Sequence, residues 1–340
     1  MREVEEQLKL TQALAIEVAK QNCAFPYLTS RYLERVENIA RVIAYNMQIA
    51  EEYEDSWQYE VAVSRFEPML YALDCVEAFK LFHEEATDQC VFHFLALEND
   101  NPNSLVNCIR SASSYASHPQ SELPQDAKAY LRGFLETFNE HRNTYPDPSE
   151  IDYLVHLARS STQMIFGMME GTMKRGRQFD FFELGRSIER ADNTARILAA
   201  KRFSPLPDEA TERKRMSRLQ WNAIAHHASA TDAIRSRDLA NEAEQEKATL
   251  QALILSDSFP RSIRFCIAEA DRCMRAICEI KDHEFINPPS KVLGRLRAEL
   301  DYMELDDILN FGVTQFLDDM KKRIQSLHES IESIYFLNQN

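Results

Sequence analysis

One pattern occurs twice in this chain, and any fold it adopts has to accommodate both copies. The segment from Arg31 to Ile43 reads Arg-Tyr-Leu-Glu-Arg-Val-Glu-Asn-Ile-Ala-Arg-Val-Ile, and 155 positions later Arg186 to Leu198 reads Arg-Ser-Ile-Glu-Arg-Ala-Asp-Asn-Thr-Ala-Arg-Ile-Leu. Six of the thirteen pairs are identical and four more are conservative. A second pair lies at an offset of 158: Pro102, Ser104, Cys108 and Ile109 recur as Pro260, Ser262, Cys266 and Ile267. Two patterns recurring in the same order at nearly one offset read as a duplicated unit of about 155 residues.

The repeated unit should be helical. Only 7 glycines occur in 340 residues, Leu, Ala, Glu and Arg are plentiful, and no stretch sustains the alternation of apolar and polar residues that a strand requires. The expected fold is all-α: an internally duplicated helical bundle in which two pseudo-twofold-related units share one core, the whole chain 1–340 forming a single domain. The first unit covers about 25–145 and the second about 178–310, with helical extensions at both ends. Breaker-rich stretches at 117–124, 143–148, 203–207 and 285–289 are the expected loops. Asn101-Pro102 and Ser258-Phe-Pro260 place a capping residue and a proline where a helix would start, so each Pro-x-Ser segment should open a helix. Val313, Leu317, Met320, Ile324, Leu327, Ile331 and Ile334 alternate steps of four and three, which predicts an amphipathic helix over about 312–336 that packs across both units.

Several functions are excluded or lose their footing. A net charge of −15, from 54 acidic against 39 basic residues, opposes a general phosphate-backbone binder, so nucleic acid is not the expected partner. The opening Met1-Arg-Glu-Val-Glu-Glu is acidic rather than a secretory signal, and no uncharged apolar run has the length of a membrane span; the expected location is cytoplasmic, with no membrane partner. Seven cysteines with no Cys-x-x-Cys point to reduced core thiols, with Cys108 and Cys266 at matching positions. None of the nine histidines begins a His-x-x-x-His or ends a Glu-x-x-His, so neither a di-iron bundle nor a metalloprotease helix is supported, and no metal or cofactor is expected. His226 and His227, beside Trp221, read as packing or surface residues. The glycine spacing from Gly171 to Gly176 lacks the Lys-Ser/Thr of a phosphate loop and reads as a turn into the second repeated helix. No Gly-x-Ser-x-Gly elbow is present. Lys174, Arg175 and Arg177, with Arg213, Lys214, Arg215 and Arg218, form local basic spots of the kind that solvated loops also carry.

The chemistry is concentrated in the repeated helix. Arg31, Glu34, Arg35 and Asn38 have the i, i+3, i+4, i+7 spacing of one helical face, and so do Arg186, Glu189, Arg190 and Asn193. Leu33, Val36, Ala40 and Ile43, matched by Ile188, Ala191, Ala195 and Leu198, make a separate apolar stripe. Arg31 and Arg35 are a like-charge pair at i,i+4, and their repulsion has to be offset by carboxylates of the fold or by an anionic ligand, since guanidinium forks bind such groups bidentately. One reading is a reciprocal buried network in which Glu34 reaches Arg190 while Glu189 reaches Arg35, fixing the register of the two units. The other is a pocket in which Arg31, Arg35, Asn38, Arg186, Arg190 and Asn193 bind an anionic small molecule or a peptide carboxylate. Glu37 with Arg41 and Asp192 with Arg196 read as ordinary surface pairs.

At these residues the chain resembles the alpha-E family, a bacterial helical domain named for its repeated Glu-Arg motif. The resemblance runs through Ser30 to Arg41, Asn101 to Ser104, Leu184 to Asp192, Phe259 to Ser262 and the closing stretch from Asp318 to Phe336. Members of that family resemble accessory proteins of peptide or amide ligation systems and are commonly encoded with a circularly permuted ATP-grasp protein. The resemblance therefore implies an accessory, non-catalytic or co-catalytic partner of an ATP-grasp-type ligase, holding that partner or an anionic or peptide substrate near the paired Glu-Arg helices. The family's first motif usually follows Trp-x-Gly, where this chain has Leu28-Thr-Ser30; the second copy keeps Gly185. The alternative is an enzyme acting on an amide or peptide, its site between the repeats and Glu34 or Glu189 as general acid or base. The matching polar residues of the two copies weigh against that alternative, because catalysis ordinarily needs one specialised site.

Overall fold

The computed structural model describes residues 23–53, 67–141, 148–203, 209–235, 242–279 and 287–336. Among them every regular element is helical and there is no strand, as the sparse glycine and missing alternation require. The α-helices, in order, are α1 (Ala24–Tyr53), α2 (Glu67–Ala72), α3 (Val76–Phe82), α4 (Asp88–Ala96), α5 (Leu105–Ser117), α6 (Gln125–Glu140), α7 (Pro148–Thr172), α8 (Arg177–Ala200), α9 (Ala210–His227), α10 (Thr231–Arg235), α11 (Glu242–Leu250), α12 (Ile263–Cys278), α13 (Pro288–Tyr302), α14 (Leu305–Phe311) and α15 (Val313–Tyr335). No helix of the described residues is long and apolar enough to cross a membrane.

Each copy of the repeated pattern lies inside a long helix, α1 or α8, and the helices that follow each keep the same neighbours. α1 packs on α5 and α7, with α6 bridging those two; α8 packs on α12 and α15, with α13 bridging. α1 and α8 pack against one another along a broad face. Ser104 and Ser262 cap α5 and α12, their hydroxyls accepting from the backbone N–H of Asn107 at 3.3 Å and of Phe265 at 3.0 Å. Helices do follow the two Pro-x-Ser segments, but the cap is the serine and each proline sits two residues ahead of it. Asn101 cannot serve as the cap because its side chain is spent on the loop, donating to the Phe94 carbonyl at 2.8 Å and accepting from the Asn103 N–H at 3.0 Å.

The sequence reading gives the bundle a single shared core. The buried apolar side chains of the described residues instead form two clusters, one around α1, α5, α6 and α7 and the other around α8, α12, α13 and α15. They stay apart because the faces that α1 and α8 turn toward each other carry the charged residues. Each long helix nevertheless crosses over at its start: Cys23, just ahead of α1, and Tyr27 of α1 join the second cluster, while Phe179 and Phe182 of α8 join the first. The closing helix α15 buries Phe316, Leu317, Met320, Ile324, Leu327, Ile331 and Tyr335 in the second cluster, and it also meets the start of α1, where the Tyr27 hydroxyl lies 3.0 Å from His328 Nδ1.

Of the expected loops, 118–124 joins α5 to α6, whereas 143–147, 204–207 and 285–286 lie outside the described residues, as does the expected helical extension before residue 23. Pro288 and Pro289 do not form a loop. They open α13 behind the N-cap Asn287, where a missing N–H costs nothing. Gly176, at φ 153°, makes the turn from α7 into α8.

The two long helices cross where Ser30 of α1 meets Gly185 of α8. A Cβ on Gly185 would fall inside the contact distance of both the Tyr27 carbonyl oxygen and the Ser30 Oγ. Ser30 occupies the first helix's side of this approach without harm, because its hydroxyl folds back to donate to the Tyr27 carbonyl at 3.0 Å. One glycine at the crossing is therefore sufficient. Gly185→Ala should lower stability by about 2 kcal/mol through overpacking, whereas Gly133→Ala in α6, where an added Cβ meets nothing, should raise it by about 0.5 kcal/mol. Denaturant melts of both variants check the pair.

Candidate functional site

α1 and α8 exchange their glutamates. Glu189 of α8, only 1% exposed, accepts from Arg31 Nε at 2.8 Å and from Arg35 Nε at 2.7 Å, both on α1. Glu34 of α1, fully buried, accepts from Arg190 Nε at 3.0 Å and Nη2 at 2.8 Å, both on α8. The reciprocal network read from the spacing is therefore present, and a further arginine completes it. Arg261, the residue before the α12 cap, donates to Glu34 at 2.7 Å and to Glu37 at 2.9 Å. Sequence reasoning overlooked Arg261; its only signal was its position inside the second repeated segment, where the first has Asn103. Arg186, a candidate ligand residue by its spacing, stands at the edge of the network. The Arg186 guanidinium lies over the Phe166 ring at 4.2 Å, and its Nε stands 3.7 Å from Glu34 with no hydrogen-bond partner.

Burial alone would raise the carboxyls of Glu34 and Glu189, but the facing guanidiniums outweigh it. Arg190 and Arg261 hold Glu34 well below the ordinary glutamate range. Arg35 and Arg31 hold Glu189 at about 2. Neither group is poised to exchange a proton near neutral pH, which argues against either as a general acid or base.

Glu37 with Arg41 and Asp192 with Arg196 are not the surface pairs that the spacing suggests. Both are i,i+4 pairs, but close packing of α1 and α8 buries Glu37, Arg41 and Asp192. Arg41 also donates to the His227 carbonyl at 3.3 Å, and burial followed by the Arg261 charge depresses it to about 10. His227 is a packing residue, its imidazole held neutral by burial. Burial raises the thiols of Cys108 and Cys266 to about 12, so both are inert core cysteines. Among the described residues no three His, Cys, Asp or Glu side chains gather as metal ligands.

The two ends of the network differ. At one, Arg261 closes over Glu34 and Glu37. At the other, Asn103 stands in the place of Arg261 and accepts from Arg35 Nη1 at 2.8 Å. There a cleft of about 160 Å³ opens between α1, α8, the turn after α2 and the loop before α5. Of the six residues expected to bind a ligand, Arg35, Asn38 and Asn193 line it together with Asp192, while Arg31, Arg186 and Arg190 do not. An anion pocket built from four arginines is therefore absent from this cleft: Arg31, Arg35 and Arg190 spend their donors on the exchanged glutamates.

A helical domain whose two long helices exchange Glu-Arg pairs defines a class by its motif as much as by its fold. Residues 27–336 match the family model described as alpha-E, a predicted alpha-helical domain with a conserved ER motif, and the chain belongs to that family. No curated protein and no solved structure matches it.

Replacing Glu189 with Gln leaves Arg31 and Arg35 buried against a neutral group, and should cost about 3 kcal/mol. The pH dependence has a definite sign. Because the folded-state carboxyl lies near 2 and the ordinary value near 4.5, the unfolded chain takes up the proton first. The stability due to Glu189 is complete above about pH 4.5 and is lost as pH falls toward 2. Denaturant midpoints measured across that range should fall steeply for the wild type and less steeply for Glu189→Gln.

Proposed function

We infer that this protein is an internally duplicated helical binding module, non-catalytic in its own right, that acts in the cytoplasm as the partner of an ATP-grasp-type ligase. The duplicated unit comprises α1 with α5, α6 and α7, repeated as α8 with α12, α13 and α15 about a pseudo-twofold axis between the long helices. Support comes from the two matched sets of neighbours and from the reciprocal exchange of Glu34 and Glu189.

The observation that carries the non-catalytic reading is the saturation of both glutamates: each accepts from two arginines and is held ionised. Such groups fix geometry and have no proton to trade. The same saturation removes the support for an anionic ligand at Arg31, Arg35 and Arg190, and leaves the partner itself or a peptide substrate as the molecule held near the helix pair.

Affinity purification of the tagged protein from its own cells, with crosslinking and mass spectrometry of the bound material, tests the partnership. Recovery of an ATP-grasp protein in stoichiometric amount is the expected result. Recovery of this chain alone removes the ligase reading, and conversion of an amide or peptide substrate by the purified protein unaided would remove the non-catalytic one.

A further inference from the structure

Buried polar side chains in folded proteins almost always find hydrogen-bond partners. The cleft breaks that expectation twice. Asn193 is 5% exposed and its Nδ2 has no partner. Asp192 is 7% exposed; its Oδ2 accepts from Arg196 Nε at 2.6 Å, but its Oδ1 has no partner. Asn38, at 3% exposure, stands beside them. All three residues line the cleft. Burial also raises the Asp192 carboxyl, the opposite of the shift at Glu34 and Glu189. Its carboxylate is thus left undercompensated.

The opposite end shows what such a place accepts. Glu37 is the counterpart of Asp192, and it is bonded to Arg41 and to Arg261. Asp192 has the counterpart of Arg41, namely Arg196, but nothing equivalent to Arg261, because Asn103 is too short to reach across and carries no charge. The charges agree. At the closed end, four guanidiniums (Arg41, Arg186, Arg190 and Arg261) face three carboxylates, Glu34, Glu37 and Glu183. At the open end, three (Arg31, Arg35 and Arg196) face three carboxylates, Glu189, Asp192 and the exposed Asp74. The open end can take one more cation and then carry the same excess positive charge as the closed end already does.

We propose that the cleft is a binding site for a guanidinium group, which enters beside Asn103 and donates to Asp192 Oδ1, with the amides of Asn38 and Asn193 taking its remaining hydrogen bonds or those of the group next to it. Ile39, Ala72, Leu73 and Leu95 supply an apolar wall for an alkyl stem. The site rests on the binding-module reading above and gives it a ligand class. The guanidinium can come from a free small molecule or from an arginine side chain of a peptide, and the chemistry at Asp192 is the same for both.

Titration calorimetry of the full chain with agmatine, free L-arginine, a capped Gly-Arg-Gly peptide and 1,4-diaminobutane tests the site. Saturable one-site binding of agmatine is expected, with diaminobutane weaker by about tenfold, since an ammonium cannot form the forked contact. Comparison of free arginine with the peptide identifies the source. Asn103→Arg should rebuild the missing internal arginine, eliminate binding and raise the melting temperature. Asp192→Asn, which keeps the shape, should weaken binding about tenfold. The proposal is overturned if no guanidinium probe binds, if diaminobutane binds as tightly as agmatine, or if both variants bind as the wild type does. Ligase capture without guanidinium binding would sink this inference alone, whereas guanidinium binding without ligase capture would sink only the ligase reading.

Discussion

Two carboxylates, each buried on the partner helix's side of a shared interface, are the constraint around which the rest of the molecule is arranged. Removing an ion from water costs several kcal/mol even after relaxation, and only near-ideal geometry with every lone pair occupied repays it. Glu34 and Glu189 meet that requirement because guanidiniums approach them as planar forks, two arginines to each carboxylate. The arrangement is specific to one register. A slip of either helix by one turn would break the contacts of both carboxylates. The approach that makes it possible is set by Gly185, which lets α8 come within touching distance of Ser30 and Tyr27.

The same constraint explains why the apolar core is divided. A polar seam runs between α1 and α8, so each helix buries its apolar stripe outward, into its own cluster, and only the first turns cross to the other side. It also explains where a ligand can be recognised. A network that must balance charge at both ends is left with unpartnered groups where one end lacks a member, as at Asp192 and Asn193. Asn103 stands at one end of the network where Arg261 stands at the other, and the cleft lies beside it.

Much of this was legible in the sequence. The period of 155 residues and the i, i+3, i+4, i+7 spacing located both long helices and named the glutamate exchange. The scarcity of glycine gave the helical class. Three things were not legible. The burial of Glu37, Arg41 and Asp192 depends on how closely α1 and α8 pack, which one glycine decides and no periodicity reports. Arg261 lies outside the helix that carries the motif, and its reach to Glu34 depends on the loop ahead of the Ser262 cap. The division into two clusters follows from the seam itself, because composition counts apolar residues without saying on which side of a helix pair they fall.

The central claim is that the exchanged ion pairs hold the two helices in register and are not incidental to their packing. A double-mutant cycle between Glu34 and Arg190, using Glu34→Gln and Arg190→Met with stability read from denaturant unfolding at neutral pH, measures it directly. The account predicts single-mutant losses that are far from additive, with a coupling energy of at least about 1.5 kcal/mol. Additive losses, with coupling under about 0.5 kcal/mol, would contradict it and leave apolar packing as the force that joins the two halves.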